Sequence, residues 1–396
     1  MRFALWPLIF VGLTASAQFQ NLVTTEDGAQ LYFSTPFRLR GTDQFSSPKI
    51  FSYLQNTGSF ALVAQVQEQA AFSKTNLFQL TQPDISSDGS ILVYTAVGGC
   101  SGGSNCIGYV GFAGQITGAS VSSMLLQNEV VRISRDGQYL LAFDLTFEIN
   151  TQLIQLATGQ SVTLNAEPIG DGYEALADGG TVLLSDNQGP LLIQGGTITR
   201  LHLSKTPALA RVSRDARRII YEVINIGEPY QLIVYDVGSA SETVLAQGPL
   251  VDNTLSPYFL PWLTDDGLQA IYQAAPSSGM PKQVFLTSTA TGVTRQLTEI
   301  PEGISAAVIS GLGNIIYAAT SSNRLFEGDT ASGNLNQLTN RTPEIDSWVG
   351  GSAPGSLIGL TGVALTRTDG TASVQIGGLD APTVDFGPES GSFQIP

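Results

Sequence analysis

Five side chains in this sequence could act together on a polar ligand. They are two carboxylates, Asp84 and Glu174, two guanidinium groups, Arg132 and Arg211, and one indole, Trp262. A carboxyl pair can provide general acid and base catalysis on a glycoside, arginines bind anionic groups, and tryptophan stacks against rings. Each of the five lies four residues before a turn signal. Their relative positions therefore depend on the elements that repeat along the chain.

The turn signal is an Asp-Gly pair followed by a short apolar run. Copies begin at Asp27, Asp88, Asp136, Asp178 and Asp266, and altered copies occur at Asp215, which is followed by Ala216, and around Leu312. Glycine accepts the positive φ of a tight hairpin, and the aspartate side chain bonds nearby amides. Successive copies are 37 residues (Asp178 to Asp215) to 61 residues (Asp27 to Asp88) apart. These aspartates are therefore expected to form turns rather than to do chemistry.

A second hairpin follows each copy, often with Thr-Gly or Ser-Gly in its turn, as in residues 153–164 and 283–297. Two hairpins per repeat make four antiparallel strands, and a propeller blade has about that length. No segment combines a capping residue, helical apolar spacing and a C-terminal glycine. The sequence predicts an all-β fold, a β-propeller of about seven four-stranded blades with six or eight as alternatives, and almost no helix.

Three strands before the turns resemble the P-x-W-S-P-D-G strand of the WD40-like repeats in TolB-type propellers. They are Gln82-Pro-Asp-Ile-Ser-Ser-Asp-Gly89, Val131-Arg-Ile-Ser-Arg-Asp-Gly137 and Ala210-Arg-Val-Ser-Arg-Asp215. The resemblance extends repeat by repeat from residue 21 to about 340, although Pro and Trp of the motif are mostly missing. The α/β domain that precedes the blades of TolB has no counterpart here. In TolB-type propellers this strand is the innermost of its blade, so the resemblance implies that the five side chains lie near the central channel.

The five side chains belong to a column that Val23 and Val308 complete. The next residue of each repeat is almost always apolar, which predicts packing between blades, while the charged column faces the other way. Acid and base alternate from Asp84 to Arg211. One interpretation is a self-neutralising belt of ion pairs between blades. The other is a polar ligand site with Trp262 as a stacking platform and Asp84 and Glu174 as a carboxylate pair.

Other catalytic patterns are weak. The segment Gly99-Cys-Ser-Gly-Gly103 matches G-x-S-x-G, but a nucleophile elbow needs a helix after Ser101 and none is predicted. His202 is the only histidine, so any His-dependent triad or multi-histidine metal site would have to use it. Its alternating context, Thr199-Arg-Leu-His-Leu203, predicts a strand residue at the surface or between blades. We expect no catalytic residue, no cofactor and no metal.

The first 17 residues have the three parts of a secretory signal peptide. Arg2 is basic, residues 3–13 are apolar but too few to span a bilayer, and Ala15-Ser-Ala17 supplies small residues for cleavage. The mature chain is expected to begin near Gln18 and to be periplasmic or extracellular. In such an oxidising compartment Cys100 and Cys106, the only cysteines, are predicted to form a disulfide across a glycine-rich loop.

Domain bounds follow from the repeats and from a change of composition near residue 340. Residues 18–340 are assigned to the propeller and 341–396 to a β-rich C-terminal segment. Within it, Ala353 to Gly362 and Val374 to Pro382 resemble the opening of an Ig-like C-terminal module of large secreted bacterial proteins. About 55 residues are fewer than the roughly 100 of an Ig sandwich, so the module would be truncated. The alternative is an ordinary strand pair packed on the propeller.

The charge and composition of the chain indicate which classes of partner to expect. The formal net charge is −15, so the chain would repel a phosphate backbone, and nucleic acid is not expected as a partner. The mature chain has no apolar run long enough for a transmembrane helix, and we expect a monomer. The function expected first is a secreted, non-catalytic propeller that binds a protein or glycan partner at the cell envelope or outside the cell. The alternative is a polysaccharide-acting hydrolase or lyase that uses the channel carboxylates.

Overall fold

The fold was analysed in a computed structural model. It describes residues 19–394 except for 36–48, 65–75, 100–106, 118–119, 128–129, 144–150, 252–256, 323, 340–343, 351–356, 364–373, 377–378, 382 and 387–389. These residues separate into two compact units that divide between Asn336 and Gln337. The only helix among them is a single 3-10 turn, Asp178–Gly180. No helix of the described part is long and apolar enough to cross a membrane.

The strands up to Gln337 form seven four-stranded antiparallel sheets, which confirms the prediction of an all-β propeller with seven blades. Blade 1 contains β1 (Gln20–Thr24), β2 (Gln30–Thr35), β3 (Lys49–Leu54) and β4 (Ser59–Ala64). Blade 2 contains β5 (Asn76–Ile85), β6 (Ile91–Gly99), β7 (Ile107–Thr117) and β8 (Ser120–Gln127). Blade 3 contains β9 (Val130–Ile133), β10 (Tyr139–Phe143), β11 (Thr151–Gln155) and β12 (Gln160–Leu164). Blade 4 contains β13 (Glu167–Pro168), β14 (Val182–Asp186), β15 (Gly189–Gln194) and β16 (Thr197–Arg200).

The last three blades have the same order. Blade 5 contains β17 (Leu209–Val212), β18 (Arg218–Val223), β19 (Pro229–Asp236) and β20 (Ser241–Leu250). Blade 6 contains β21 (Trp262–Leu263), β22 (Gln269–Ala274), β23 (Gln283–Ser288) and β24 (Thr294–Gln296). Blade 7 contains β25 (Ala306–Ile309), β26 (Ile315–Ala319), β27 (Leu325–Asp329) and β28 (Leu335–Gln337). The first strands of neighbouring blades contact one another around the ring. The contacting pairs are β1 with β5, β5 with β9, β17 with β21, β21 with β25, and β25 with β1. The strand before each Asp-Gly turn is therefore the innermost of its blade.

The ring closes between blades 7 and 1 without exchange of a strand, because each of these blades is built from one continuous part of the chain. The Tyr317 hydroxyl donates to the Gly28 carbonyl at 2.6 Å, and Gln55 Nε2 donates to Glu327 Oε1 at 2.9 Å. The Leu312 amide donates to the Glu26 carbonyl at 2.8 Å. Closure therefore depends on side-chain packing and single hydrogen bonds rather than on a shared sheet.

The Asp-Gly turns have the geometry that the sequence predicts. The glycines at these positions have positive φ values, for example 77° at Gly28 and 66° at Gly267. The turn aspartate accepts the amide two residues later, as Asp88 does from Ser90 at 3.0 Å. In the altered copy of blade 5 the same position is Ala216, which is held at a φ of 59°.

Replacing Ala216 by glycine is expected to raise the free energy of unfolding by about 0.5–1 kcal/mol. Glycine adopts the left-handed region without the cost that a Cβ imposes there, and this gain exceeds the extra freedom of glycine in the unfolded chain. Urea unfolding measures the change. The control is Ala290→Gly, because Ala290 is also a turn residue, exposed where Ala216 is partly buried, and it lacks a positive φ. Equal effects of the two substitutions would contradict the assignment of strain to Ala216.

The C-terminal unit is described by strands only. It contains β29 (Glu344–Gly350), β30 (Leu357–Val363), β31 (Val374–Ile376), β32 (Leu379–Ala381), β33 (Thr383–Phe386) and β34 (Ser390–Gln394). One antiparallel sheet has the order β29-β30-β34-β33, and β31 pairs with β32. An Ig sandwich needs two packed sheets, and the described strands form one sheet and a hairpin. The Ig-like interpretation stays a prediction.

Candidate functional site

The five side chains of the predicted column come from consecutive blades, 2 to 6, and lie at the centre of the ring. Asp84, Glu174 and Trp262 border a small central cavity, together with the apolar Val23 and Val308 of the same column. The cavity has a volume of about 20 Å³. That volume holds a single water molecule, whereas small-molecule sites are typically about 300–1,000 Å³. The channel is therefore filled by side chains rather than open.

Asp84 is buried and binds two backbone amides. Its Oδ1 accepts from Ile85 at 2.9 Å, and its Oδ2 accepts from Ile133 of the next blade at 3.2 Å. Burial raises the pKa of the Asp84 carboxyl, and the nearby positive charges of Arg132 and Arg135 oppose that rise. Asp84 thus joins blades 2 and 3, and both of its oxygens are occupied.

Glu174 is the second carboxyl of the column and lies in a strained backbone position, with a φ of 47°. Its Oε2 accepts from the Leu263 amide of blade 6 at 3.4 Å. Burial raises the pKa of Glu174 to about 8, although Arg211 and Arg135 lower it. The carboxyl is therefore mainly protonated at neutral pH, which is the state that a general acid needs.

Blade 4 departs from the repeat next to Glu174. Its innermost strand β13 is only two residues long, and the chain returns to the sheet at a single bridge between Leu176 and Val182. Residues 169–175, between the end of β13 and Leu176, form what we call the channel loop. Gly170 and Gly172 have φ values of 78° and 73°. A Cβ on Gly172 would lie 2.7 Å from Phe143 Cζ, so this conformation requires glycine there.

The channel loop carries Tyr173 to the end of the channel. The buried Tyr173 hydroxyl donates to the Pro83 carbonyl of blade 2 at 3.1 Å. Its ring centre lies 3.9 Å from the Arg132 guanidinium carbon of blade 3 and 5.5 Å from that of Arg211 of blade 5. The ring of Trp262, from blade 6, is 5.4 Å away. Tyr173 therefore contacts blades 2, 3, 5 and 6 and fills this end.

Arg132 and Arg211 are almost completely buried, at 1% and 2% exposure. Arg132 donates to the carbonyls of Val131 and Asp171, and Arg211 donates to the Asp171 carboxylate at 3.1 Å. Arg211 also stacks on Trp262, with 4.0 Å between the guanidinium carbon and the ring centre. Arg132 Nε, Arg211 Nε and Arg211 Nη1 are buried without a hydrogen-bond partner among the described residues.

These contacts change the predicted arrangement of the column. The ion pair of Arg211 is formed with Asp171 of the channel loop, and no direct ion pair joins members of the column within the described part. The face of Trp262 expected to stack on a ligand is covered by Arg211. Sequence reasoning missed Tyr173 and Asp171, although the segment Ile169-Gly-Asp-Gly-Tyr173 places two glycines where a strand was expected.

The opposite end of the channel is closed by charged side chains that sequence reasoning also missed. Arg135 Nε donates to Asp265 Oδ1 across the ring at 3.1 Å, and Arg135 Nη1 donates to the Thr24 carbonyl at 3.0 Å. Arg214 pairs with Asp178 and, at 3.4 Å, with Glu26. The charged residues of this end precede the turn aspartate by one position, except for Asp178, which is a turn aspartate itself. The sequence signal that could have found them is a second column, one residue before the turn aspartate, which is charged in four of the seven repeats.

The remaining sequence candidates have no part in this site. The strand predicted for residues 199–203 is only partly right. Thr199 and Arg200 lie in β16, which ends at Arg200, and His202 lies beyond that end. The Leu201 amide still donates to the Pro190 carbonyl of β15. The side chain of His202 is exposed, as expected. Ser101, Cys100 and Cys106 lie outside the described residues, so the disulfide stays a prediction. Within the described ranges no three His, Cys, Asp or Glu side chains group as metal ligands.

Comparisons with known proteins show the fold. No family model matches the sequence, and no curated protein matches it significantly. Among solved structures, an oligogalacturonate lyase in complex with manganese is 11% identical with a TM-score of 0.51, over 77% of this chain and 87% of that one. An oligogalacturonate lyase from Vibrio parahaemolyticus is 9% identical with a TM-score of 0.51, over 77% and 88%. At this identity the similarity shows the propeller architecture alone.

Proposed function

We propose that the protein is an exported, non-catalytic β-propeller that binds a glycan or protein partner at the channel end formed by Arg132, Tyr173, Arg211 and Trp262. The supporting observation is that three guanidinium nitrogens of Arg132 and Arg211 are buried there without an acceptor among the described residues. Buried donors without partners are costly, and a ligand that supplies acceptors would recover that cost. Four consecutive blades contribute side chains to this end.

The geometry argues against chemistry at the channel carboxylates. A glycosidase pair must flank the scissile bond of a sugar, with the carboxyl groups about 5–9.5 Å apart. Asp84 and Glu174 border a cavity of about 20 Å³, and both Asp84 oxygens already accept backbone amides. A sugar ring does not fit between these groups in this conformation. Binding at the end of the channel is the function that these contacts favour.

Export and the kind of partner rest on the sequence. The signal-peptide residues 1–17 lie outside the described part of the chain, and so does the cysteine pair that would report an oxidising compartment. The resemblance to TolB-type repeats supports a partner at the cell envelope. A periplasmic or extracellular propeller that binds a protein or a glycan is consistent with the acidic surface expected from a net charge of −15.

A binding screen of the mature protein on a glycan array and on peptidoglycan tests the proposal. Wild type is expected to retain a partner, and Arg132→Met or Trp262→Leu is expected to weaken that binding about tenfold or more, as loss of a central anchor does. The control is Arg217→Met, since the Arg217 side chain is 83% exposed and remote from the channel end. Circular dichroism shows that each variant is folded. A partner that binds both channel-end variants as tightly as wild type would refute the assigned site.

A second candidate, a polysaccharide-acting hydrolase or lyase, is favoured by one observation. The pKa of Glu174, raised to about 8, keeps the carboxyl protonated at neutral pH, as in a general acid. This candidate predicts release of reducing ends from some polysaccharide by wild type and none by Glu174→Gln. The binding proposal predicts no turnover by either protein.

A further inference from the structure

Tyr173 occupies the end of the channel in the manner of a bound ring. Its aromatic face is covered by the Arg132 guanidinium at 3.9 Å, the Trp262 ring lies 5.4 Å away, and its hydroxyl donates to the Pro83 carbonyl. These contacts come from three other blades. A ligand ring that bears a hydroxyl could make the same contacts if the channel loop moved aside.

The fit of Tyr173 is incomplete. Its one polar atom is used on Pro83, so it supplies no acceptor to Arg132 Nε, Arg211 Nε or Arg211 Nη1. The two guanidinium groups share one carboxylate contact, that of Asp171 with Arg211. Two more carboxyls, Asp84 and Glu174, lie near the guanidinium groups. Burial raises the pKa of both, to about 8 for Glu174, and both oxygens of Asp84 already accept backbone amides. The cluster thus has an excess of hydrogen-bond donors, which a carboxylate would satisfy.

Most of the channel loop can be displaced without disrupting a sheet. Within the described part, residues 169–173 make no backbone hydrogen bond to a strand. The Glu174 and Ala175 carbonyls accept the amides of Val212 and Leu183 at 2.8 and 2.7 Å and anchor the C-terminal end of the loop. Three residues of the loop, Gly170, Gly172 and Glu174, are in the left-handed region. Part of the Asp171 side chain, 27%, reaches solvent, so the cluster has a route to the surface there.

We infer that Tyr173 is an internal occupant of a binding site for a six-membered ring that carries both a hydroxyl and a carboxylate, and that the channel loop moves aside when this ligand binds. The inference rests on the proposed function and gives its ligand a chemical class. Arg132 and Arg211 bind the carboxylate, the Pro83 carbonyl accepts the hydroxyl, and Trp262 contacts the ring face. A uronic acid and a phenolic acid both have this chemistry.

The test uses Gly172→Ala in the full mature chain. In the closed loop the added Cβ would lie against Phe143, and the alanine backbone would have to adopt a φ of 73°. The substitution therefore disfavours the closed loop while keeping Tyr173. Because a ligand binds only the open state, a larger open population raises its apparent affinity, here by about tenfold. The probes are glucuronate and 4-hydroxybenzoate, with glucose and phenol as their neutral counterparts, and titration calorimetry measures binding. The acid that binds more tightly identifies the source of the ring.

Two further variants keep the test decisive. Tyr173→Ala removes the internal ring and is expected to raise affinity in the same direction, which covers the case in which Gly172→Ala does not fold. Adding Arg211→Met to either variant is expected to abolish the gain. Gly195→Ala is the matched control, because Gly195 also has a positive φ of 54° but has nothing within 4 Å of its would-be Cβ.

Failure of this inference is distinct from failure of the proposed function. If Gly172→Ala and Tyr173→Ala are folded but bind the acids no better than wild type, or prefer the neutral probes, the internal-occupant assignment is overturned. A partner retained by wild type on the array would still support the proposed function in that case. If folded wild type retains no partner on the array, the proposed function itself is refuted.

Discussion

Replacing Arg135 by alanine is expected to lower the free energy of unfolding by about 3 kcal/mol, the cost of breaking a largely buried ion pair by removal of one partner. Arg135 is 16% exposed, and its partner Asp265 across the ring is 12% exposed. The arginine also donates to the carbonyls of Thr24 and Ile85, so its loss removes bonds to blades 1, 2 and 6 together. Urea unfolding at pH 7 measures the change.

The control for this substitution is Arg217→Ala. Its side chain is 83% exposed and lies 3.6 Å from Asp215, and exposed pairs of this kind contribute at most about 1 kcal/mol. A second variant, Arg135→Ala with Asp265→Asn, should recover part of the loss, because in the single variant Asp265 keeps only its longer ion pair, with Arg214 at 3.7 Å. If Arg135→Ala destabilises the protein no more than Arg217→Ala, the network does not hold the ring together.

The stability of the protein is expected to fall as the pH rises from about 5 to 8.5, and Glu174→Gln is expected to remove much of that fall. The folded state keeps the Glu174 proton up to a pKa of about 8, while the unfolded chain releases it near 4.5. Between these values the folded state binds more protons, so the stabilisation is complete below pH 4.5 and is lost as the pH passes through 8. The stability lost between pH 5 and 8.5 is on the order of 4 kcal/mol.

Unfolding free energies of wild type and Glu174→Gln at pH 5, 7 and 8.5 test this expectation. The two proteins should be similar at pH 5, and the variant should be the more stable at pH 8.5. Glu299→Gln is a matched control at an exposed glutamate. Glu222, whose pKa burial raises to about 7, contributes a dependence of the same sign, so Glu174→Gln should retain a smaller slope while Glu299→Gln follows wild type. Parallel curves for wild type and Glu174→Gln would show that Glu174 does not carry the effect.

The two clusters that these substitutions touch close the channel from opposite ends. Arg135, Arg214 and Asp265 connect blades across the ring on the turn side, and Tyr173 with Arg132 and Arg211 fills the other side. A propeller whose first and last blades do not share a sheet has no strand-to-strand ladder of hydrogen bonds across its seam. Polar contacts across the centre supply an alternative constraint, because a single arginine there touches several blades at once.

The seven-bladed fold was predictable because its signals are local. An Asp-Gly turn needs only the positive φ of glycine and the reach of the aspartate side chain, and both act within four residues. Repetition of that turn determined the number of blades even where the copy was altered, as at Asp215-Ala216 and at Leu312. The strand predicted around His202 ends early, at Arg200, because a strand needs a partner and β15 begins at Gly189, only two residues before Leu191, the partner of Arg200.

The site was predictable in part. Register from the turn placed Asp84, Arg132, Glu174, Arg211 and Trp262 in one column, and the structure brings these side chains together at the centre of the ring. Their partners were not predictable. Arg211 binds Asp171 rather than a neighbour in the column, because residues 169–175 leave the strand path, and the pairing depends on where that loop is placed by Phe143 and Leu209 beneath its glycines.

The sequence by itself determined the all-β class and the length of the repeat, since both follow from short-range turn chemistry and the two-residue period of a strand. The innermost position of the charged column was implied by the resemblance to TolB-type repeats. Only the tertiary structure decided that the channel is filled. A ring of seven blades brings side chains from residues far apart in the chain within 4–6 Å of one another. Whether Tyr173, Arg135 and Arg214 occupy that space or leave it open depends on packing across the ring, which no local pattern specifies.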